Sequence, residues 1–378
     1  MVFGGWPGFR GDGSSVAGER KLPLTWKEPA WRTALPGYGQ SSPAVWGDRV
    51  FLTAVEGAEK ERLHAVCVDA RKGTLLWDQG MDATQRWKDS NMVTKASPSP
   101  AADGKLAYFF FESGDLAAFD HGGKLRWRRK LTEEYGLFTG NHGVGNSTRL
   151  AGRTLLQLVT HGGTSFLLAV EAATGKTLWK KDVAAGASWS TPVVAGGLVL
   201  ANAAGKVFAW RLADGEPAWE IDGHKGNVIP SVTVAGNVMV IGASDKGASA
   251  VYRLGAGKPE LLWRPANATA NFCSPLVHGG QVLFVNKVGV LYALELATGR
   301  ELWTDRVGGE VWSSPMGAGD RVYCFTVDGQ CAVYRAGAAQ AEVLGRSTLE
   351  LNSRVYAVVP QEGGLILRAG RELVGLRG

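Results

Sequence analysis

The chain has 378 residues, of which 52 are glycine and 14 tryptophan, with 20% charged residues and a formal net charge of +6. Glycine at about twice its usual share, with few charges, describes short strands joined by tight turns rather than long solvated helices. The basic residues are scattered and no run of 18 apolar residues occurs, which argues against a phosphate-tracking surface and a membrane-spanning helix, so neither nucleic acid nor membrane insertion is expected.

At the start, Met1–Arg10 (MVFGGWPGFR) lacks a charged n-region followed by an apolar h-region, and no signal peptide is visible. Residues 1–25 read as an N-terminal extension and 26–378 as one domain. The first element is a strand in AWRTALPG (30–37) carrying Trp31, and no companion strands precede it.

From there the chain repeats. Trp31, Trp77, Trp127, Trp179, Trp219, Trp263 and Trp303 follow one another at gaps of 46, 50, 52, 40, 44 and 40 residues, and one further step of 40 lands on Val343. Glycine stands four residues before the tryptophan at Gly73, Gly123, Gly175, Gly215 and Gly299, and six before it at Gly257. That spacing suits a tight hairpin in which glycine supplies a positive φ and the next strand delivers an indole inward. A large flat side chain once per unit fills the wedge between neighbouring sheets, so these seven tryptophans are assigned structural docking roles.

A second register opens each unit. Ser42, Ser99, Ser147, Thr191, Ser231, Ser274 and Ser314 each stand five residues before a turn glycine; Val358 departs from the pattern. Alternating runs such as RVFLTAV (49–55), LVLANA (198–203) and VLFVNK (282–287) lie between the two registers. Four short strands in roughly 40–50 residues describe a propeller blade. The final unit, 346–378, has three strands and lacks the fourth, which the Trp31 strand can supply. The expected fold is all-β: an eight-bladed β-propeller of four-stranded antiparallel blades, the last closed by the N-terminal strand.

Two loops are long enough to carry function, Gln85–Lys95 (QRWKDSNMVTK) and Leu131–Asn146 (LTEEYGLFTGNHGVGN). In a four-stranded blade, the loop entering the first strand and the loop joining strands two and three share one face. Two residues before the hydroxyl register stand Gln40, Ser97, Gly145, Trp189, Ile229, Phe272, Trp312 and Tyr356, half of them aromatic. Nearby loops add Trp87, Lys95, Asn141, His142, Asn227, Asn271, Asn352 and Arg354, while Asp89 and Glu310 are the main carboxylates.

Cys67, Cys273, Cys324 and Cys331 form no CxxC and no adjacent pair. With Asp328 and Gly329 as a two-residue turn, Cys324 and Cys331 lie diagonally on one face, a poor disulfide geometry, and four buried thiols are expected. The histidines His64, His121, His142, His161, His224 and His278 show no HExxH or HxH spacing, and no GxSxG or Walker loop occurs. No catalytic residue and no metal site are assigned.

The pattern A-x-[DE]-x-x-T-G-x-x-x-W at Ala169–Trp179 and Ala293–Trp303 resembles the tryptophan-docking repeat of quinoprotein-type propellers. WPGFRGDG (6–13), LPLTW (22–26) and SSPAVWGDRVFL (41–52) resemble the PQQ-like repeat proteins related to the BamB-like outer-membrane assembly scaffold family. The resemblance implies a bacterial envelope setting, periplasmic or secreted, and two functional alternatives. One is a non-catalytic scaffold without cofactor. The other is an alcohol or sugar dehydrogenase using PQQ with calcium, which needs stacking surfaces, carboxylate and amide ligands for Ca²⁺, and an aspartate base. In that family's alcohol dehydrogenases one stacking surface is a disulfide between adjacent cysteines, and this chain has no such pair. Carboxylates are scarce at the expected mouth and aromatics plentiful. The expected function is therefore a monomeric scaffold binding a protein, peptide or small ligand through Gln40, Trp87, Lys95, Asn141, His142, Trp189, Asn227, Phe272, Trp312 and Arg354.

Overall fold

A computed structural model describes residues 5–20, 22–88, 94–184, 186, 188–203, 205–223 and 228–378. Its strands form eight four-stranded antiparallel sheets in a ring, a β-propeller. Blades 1 to 7 occupy residues 44–82, 101–130, 149–183, 193–222, 233–263, 276–306 and 316–348 in chain order. Blade 8 takes three strands from residues 355–377 and its outermost strand from Trp31–Ala34, which pairs in the register Trp31↔Gly375 to Ala34↔Glu372. The expected closure by the N-terminal strand is therefore present.

The two sequence registers join blade to blade in different ways. The hydroxyl register forms a relay around the channel. The Ser42 N–H donates to Ser99 Oγ at 2.9 Å, the Ser99 N–H to Ser147 Oγ at 2.9 Å, and the series continues through Thr191, Ser231 and Ser274 to Ser314. The tryptophans work at larger radius. The Trp179 indole N–H donates to Leu212 O of the next blade at 3.0 Å, and the ring covers the turn at Gly215. Gly215 has φ +72°, and a Cβ there would come 2.5 Å from the indole, so the position needs glycine for both conformation and clearance. Trp77, Trp127, Trp263 and Trp303 donate to the following blade in the same way. In blades 1 to 7 a β-bulge separates strands three and four beside the docking position, as between Ala169 and Val170. Such a bulge twists the outer strand and re-aims its side chain, here the indole. Gly257 departs from the glycine rule: its surroundings are open and it covers no tryptophan.

Where a register fails, another residue takes its place. Blade 7 carries Val343 at the docking position, and Trp26 from the N-terminal segment enters the core shared by blades 7 and 8. There it stacks on Phe325 with ring centroids 5.6 Å apart. Blade 8 carries Val358 in place of a hydroxyl. Its junction with blade 1 is bridged by the fully buried Arg368, which donates to Gly39 O at 3.1 Å and Thr53 O at 3.3 Å.

Two local expectations need correction. Before Cys331 the Thr326 N–H donates to Gln330 O and the turn holds three residues, 327–329, one more than a two-residue hairpin, so Phe325 pairs with Cys331 and Cys324 with Ala332. That one-residue shift places the two thiols on opposite faces of the sheet, in separate cores. All four cysteines are buried and unpaired. The segment after blade 2, read as loop, begins with a helical turn at Leu131–Tyr135, held by burial of Leu131 and Thr132 and favoured by Glu133 and Glu134 in its first turn.

Candidate ligand and partner face

The N-terminal residues build the floor of the site. The segment 5–20 crosses the narrow end of the channel from blade 1 to blade 7. It begins with a Trp6–Val45 bridge, passes Pro7 O accepting from the Ala102 N–H, and ends with Ala17 N–H on Gly317 O at 2.8 Å. Two buried arginines bolt it in place. Arg10 donates to Ser15 Oγ, Val232 O, Thr233 Oγ1 and Pro275 O, while Arg149 of blade 3 donates to Phe9 O, Gly11 O and Pro192 O. Burial lowers the two guanidinium pKa values to about 9 and about 10, so both stay cationic at neutral pH. Glycines at positive φ (Gly11 +65°, Gly13 +107°), with Arg10 and Ser15 also at positive φ, let this segment turn tightly enough to fit.

With its narrow end filled, the channel becomes a cup of about 430 Å³ open at the loop face. Trp6, Phe9, Arg10 and Ser15 contribute to its lining, as do the relay hydroxyls of Ser42, Ser99, Ser147, Thr191 and Ser314. Around the mouth the aromatics fall into two groups. Phe272, Trp312 and Tyr356 form a chain with centroids 5.1 and 5.8 Å apart, extended by Tyr38, whose hydroxyl lies 2.6 Å from that of Tyr356. Burial and this bond push the Tyr356 phenol up to about 12. Across the ring Trp189 meets His142 at 5.8 Å. Arg354 lies 4.9 Å over the Trp312 ring and Lys95 lies 5.4 Å over Tyr38, both within cation–π range.

The sequence-derived candidates divide accordingly. Gln40, His142, Trp189, Phe272 and Trp312 line the cup. Lys95 and Arg354 flank it, and Gln40 exchanges hydrogen bonds with the Lys95 backbone at 3.0 Å in both directions. Trp87 lies elsewhere: its indole N–H donates to Glu112 O at 3.1 Å and its ring packs on the core of blade 2. Asn141 is exposed and outside the cup wall. Asn352 is also exposed, with its N–H on Glu372, and Asn271 accepts from the Lys287 N–H. Asn227 and Asp89 lie outside the described residues. Glu310 is exposed and accepts the Trp312 indole N–H at 2.8 Å. The floor and Tyr38 were missed by sequence reasoning. The signal for the floor was the glycine-rich WPGFRGDGSS itself, which has the composition of a turning segment.

Calcium and an aspartate base are poorly served by this donor set. Among the described residues no group of three or more His, Cys, Asp or Glu could hold a metal ion, and the cup wall contains no carboxylate.

A family profile described as outer membrane protein assembly factor BamB matches residues 4–143, 164–276 and 247–376. Among characterised relatives, the outer membrane protein assembly factor BamB of Bordetella pertussis is 26% identical over 362 residues, covering 81% of this chain and 86% of the relative. That of Alkalilimnicola ehrlichii is 30% identical over 169 residues, and there the match spans 44% of this chain and 39% of the relative. Among solved structures, BamB from Moraxella catarrhalis superposes with a TM-score of 0.66 at 14% identity, over 93% of this chain and 97% of that one. A europium-containing methanol dehydrogenase superposes with a TM-score of 0.73 at 11% identity, over 98% and 90%. At such identities the structural likeness speaks for the fold alone.

Proposed function

The chain belongs to the family of outer membrane protein assembly factor BamB, and from that premise we propose that it is a non-catalytic scaffold of the bacterial envelope. Its partner is a protein engaged in outer-membrane assembly, docked at the channel mouth. The observation that carries this reading is the mouth itself. Phe272, Trp312, Tyr356 and Trp189, with Arg354 and Lys95 beside them, unite large rigid side chains and cations at one concave rim. Aromatics and arginine anchor protein interfaces because they bury much area at a low cost in rotamer entropy. Because the narrow end is filled, a polypeptide inserts side chains or a loop tip from above and does not thread through.

The dehydrogenase alternative draws on the fold likeness, and the cup's residues do not fit it. A quinone cofactor with calcium needs carboxylate and amide oxygens converging beside a base. Among the described residues the wall supplies hydroxyls, one glutamine, aromatic faces, the Arg10 guanidinium and the His142 imidazole, and no carboxylate.

Site-specific photo-cross-linking tests the docking reading. A cross-linker at exposed mouth positions Asn141 or Asn352 should capture outer-membrane proteins or their assembly components in cells. The same group at Arg153, exposed in the turn between the first two strands of blade 3 on the opposite face, should not. Equal capture from both faces would overturn docking at the mouth.

A further inference from the structure

Below the rim, the cup adds a second kind of surface to the aromatic and cationic contacts proposed for docking. Ser99, Ser147, Thr191 and Ser314 each spend one lone pair on a backbone N–H of the preceding blade. What each hydroxyl has left is its own O–H donor and a second lone pair, on side chains that reach the cup surface only narrowly, Ser99 and Thr191 being 1% exposed and Ser147 3%. These groups, with Ser42, approach the cup from five blades around the axis. That arrangement suits a ligand carrying oxygens all round its perimeter, as a sugar ring does, better than one with a single charged edge.

Charge narrows the class. Arg10 reaches the floor with its guanidinium held by four neutral oxygens, and Asp12 offsets its charge at longer range. Lys95 and Arg354 add cations at the mouth. No carboxylate lines the wall among the described residues, and Glu310 stands exposed on the rim, bonded to the Trp312 indole. The field inside a concave, partly desolvated site of this kind favours anions. Flat apolar surface is supplied on one side by Phe272 and Trp312 and on the other by Trp189. The cup's 430 Å³ falls within the roughly 300–1,000 Å³ of small-ligand pockets.

We propose that the cup binds an acidic saccharide, a sugar ring bearing a carboxylate, phosphate or sulfate. The C–H face of the ring packs on the aromatic surfaces, its oxygens meet the O–H belt, and the anion faces Arg354 at the mouth, with the buried Arg10 adding to the positive field from below. The N-terminal segment is thereby part of the binding site, since without it the cup has neither floor nor Arg10.

Titration of the purified chain tests this directly, following tryptophan fluorescence and heat. The probes are glucuronate, glucose 6-phosphate, the neutral methyl glucoside, and benzoate as a flat anion without ring hydroxyls. The acidic sugars should bind saturably, and the neutral glycoside at least about tenfold more weakly, as expected when a charge-assisted contact is lost. Added salt should weaken only the acidic sugars. Arg354→Gln should lower affinity for the acidic sugars and leave the neutral one unchanged, while Trp312→Ala should weaken both; both positions lie on the partly exposed rim. Equal binding of the neutral glycoside, preference for benzoate, or no binding by any probe would overturn the proposal. None of these outcomes bears on protein docking, which the cross-linking experiment decides.

Discussion

At the residue scale, the docking tryptophans and the rim tryptophan share a chemistry and differ in surroundings. Trp179 is 8% exposed, donates its indole N–H across a blade junction and lies against Gly215. Trp179→Ala should cost about 3–5 kcal/mol, because the wedge between two sheets cannot collapse to fill the vacated volume. Trp312 sits half-buried on the rim, and Trp312→Ala should cost much less. Thermal melts of the two variants check the contrast, and equal losses would put Trp312 in the core. Glu112 gives a prediction of another kind. It is fully buried, accepts the Ser97 N–H at 3.0 Å, and its carboxyl pKa is raised, chiefly by burial and against the pull of Lys60. A carboxyl raised in the folded state contributes stability that is fully present below its unfolded pKa and is lost as pH rises through the folded one. The advantage of Glu112→Gln over wild type in thermal midpoint should therefore grow as pH rises above the ordinary glutamate pKa of about 4.3. A difference independent of pH would contradict the assignment.

At the element scale, the seam of the ring is its most composite part. Blade 8 depends on the four-residue strand Trp31–Ala34, on Arg368 where the hydroxyl relay stops, and on Trp26 where blade 7 lacks its indole. Deleting residues 26–36 strips Trp26 from the core and leaves the 372–377 strand with an open edge, an invitation to pair with other chains. The deletion variant should aggregate, and a soluble variant that melts cooperatively would contradict this closure. These elements also mark how far the sequence could be read. The period of tryptophans and hydroxyls revealed eight blades, four strands per blade and the shared last blade, because each register answers a repeated physical need. The substitutes left no periodic trace. Arg368, Trp26 and the Arg10–Arg149 bolts each occur once, and their roles follow from contacts between residues up to about three hundred positions apart.

At the scale of the whole molecule, the candidate site was half legible. Counting back from the hydroxyl register located Gln40, Trp189, Phe272 and Trp312 on the cup wall. Trp87 was misleading because an indole in a charged loop looks like a surface anchor until its N–H is seen on Glu112 O. The floor was missed because an extension before the first strand carries no blade register, only the turn-rich composition of WPGFRGDGSS. What emerges is a ring sealed by strand exchange and filled from its narrow side, with one concave aromatic face left for recognition. The scaffold function proposed above rests on that shape and on the family.

The most direct test of the non-catalytic claim is titration with PQQ and Ca²⁺, following tryptophan fluorescence together with dye-linked oxidation of alcohols and sugars. With no carboxylate on the cup wall among the described residues to hold calcium or act as base, the prediction is neither saturable quenching nor turnover. Saturable quenching accompanied by turnover that is lost in Trp189→Ala and Trp312→Ala would contradict it and make the cup an active site.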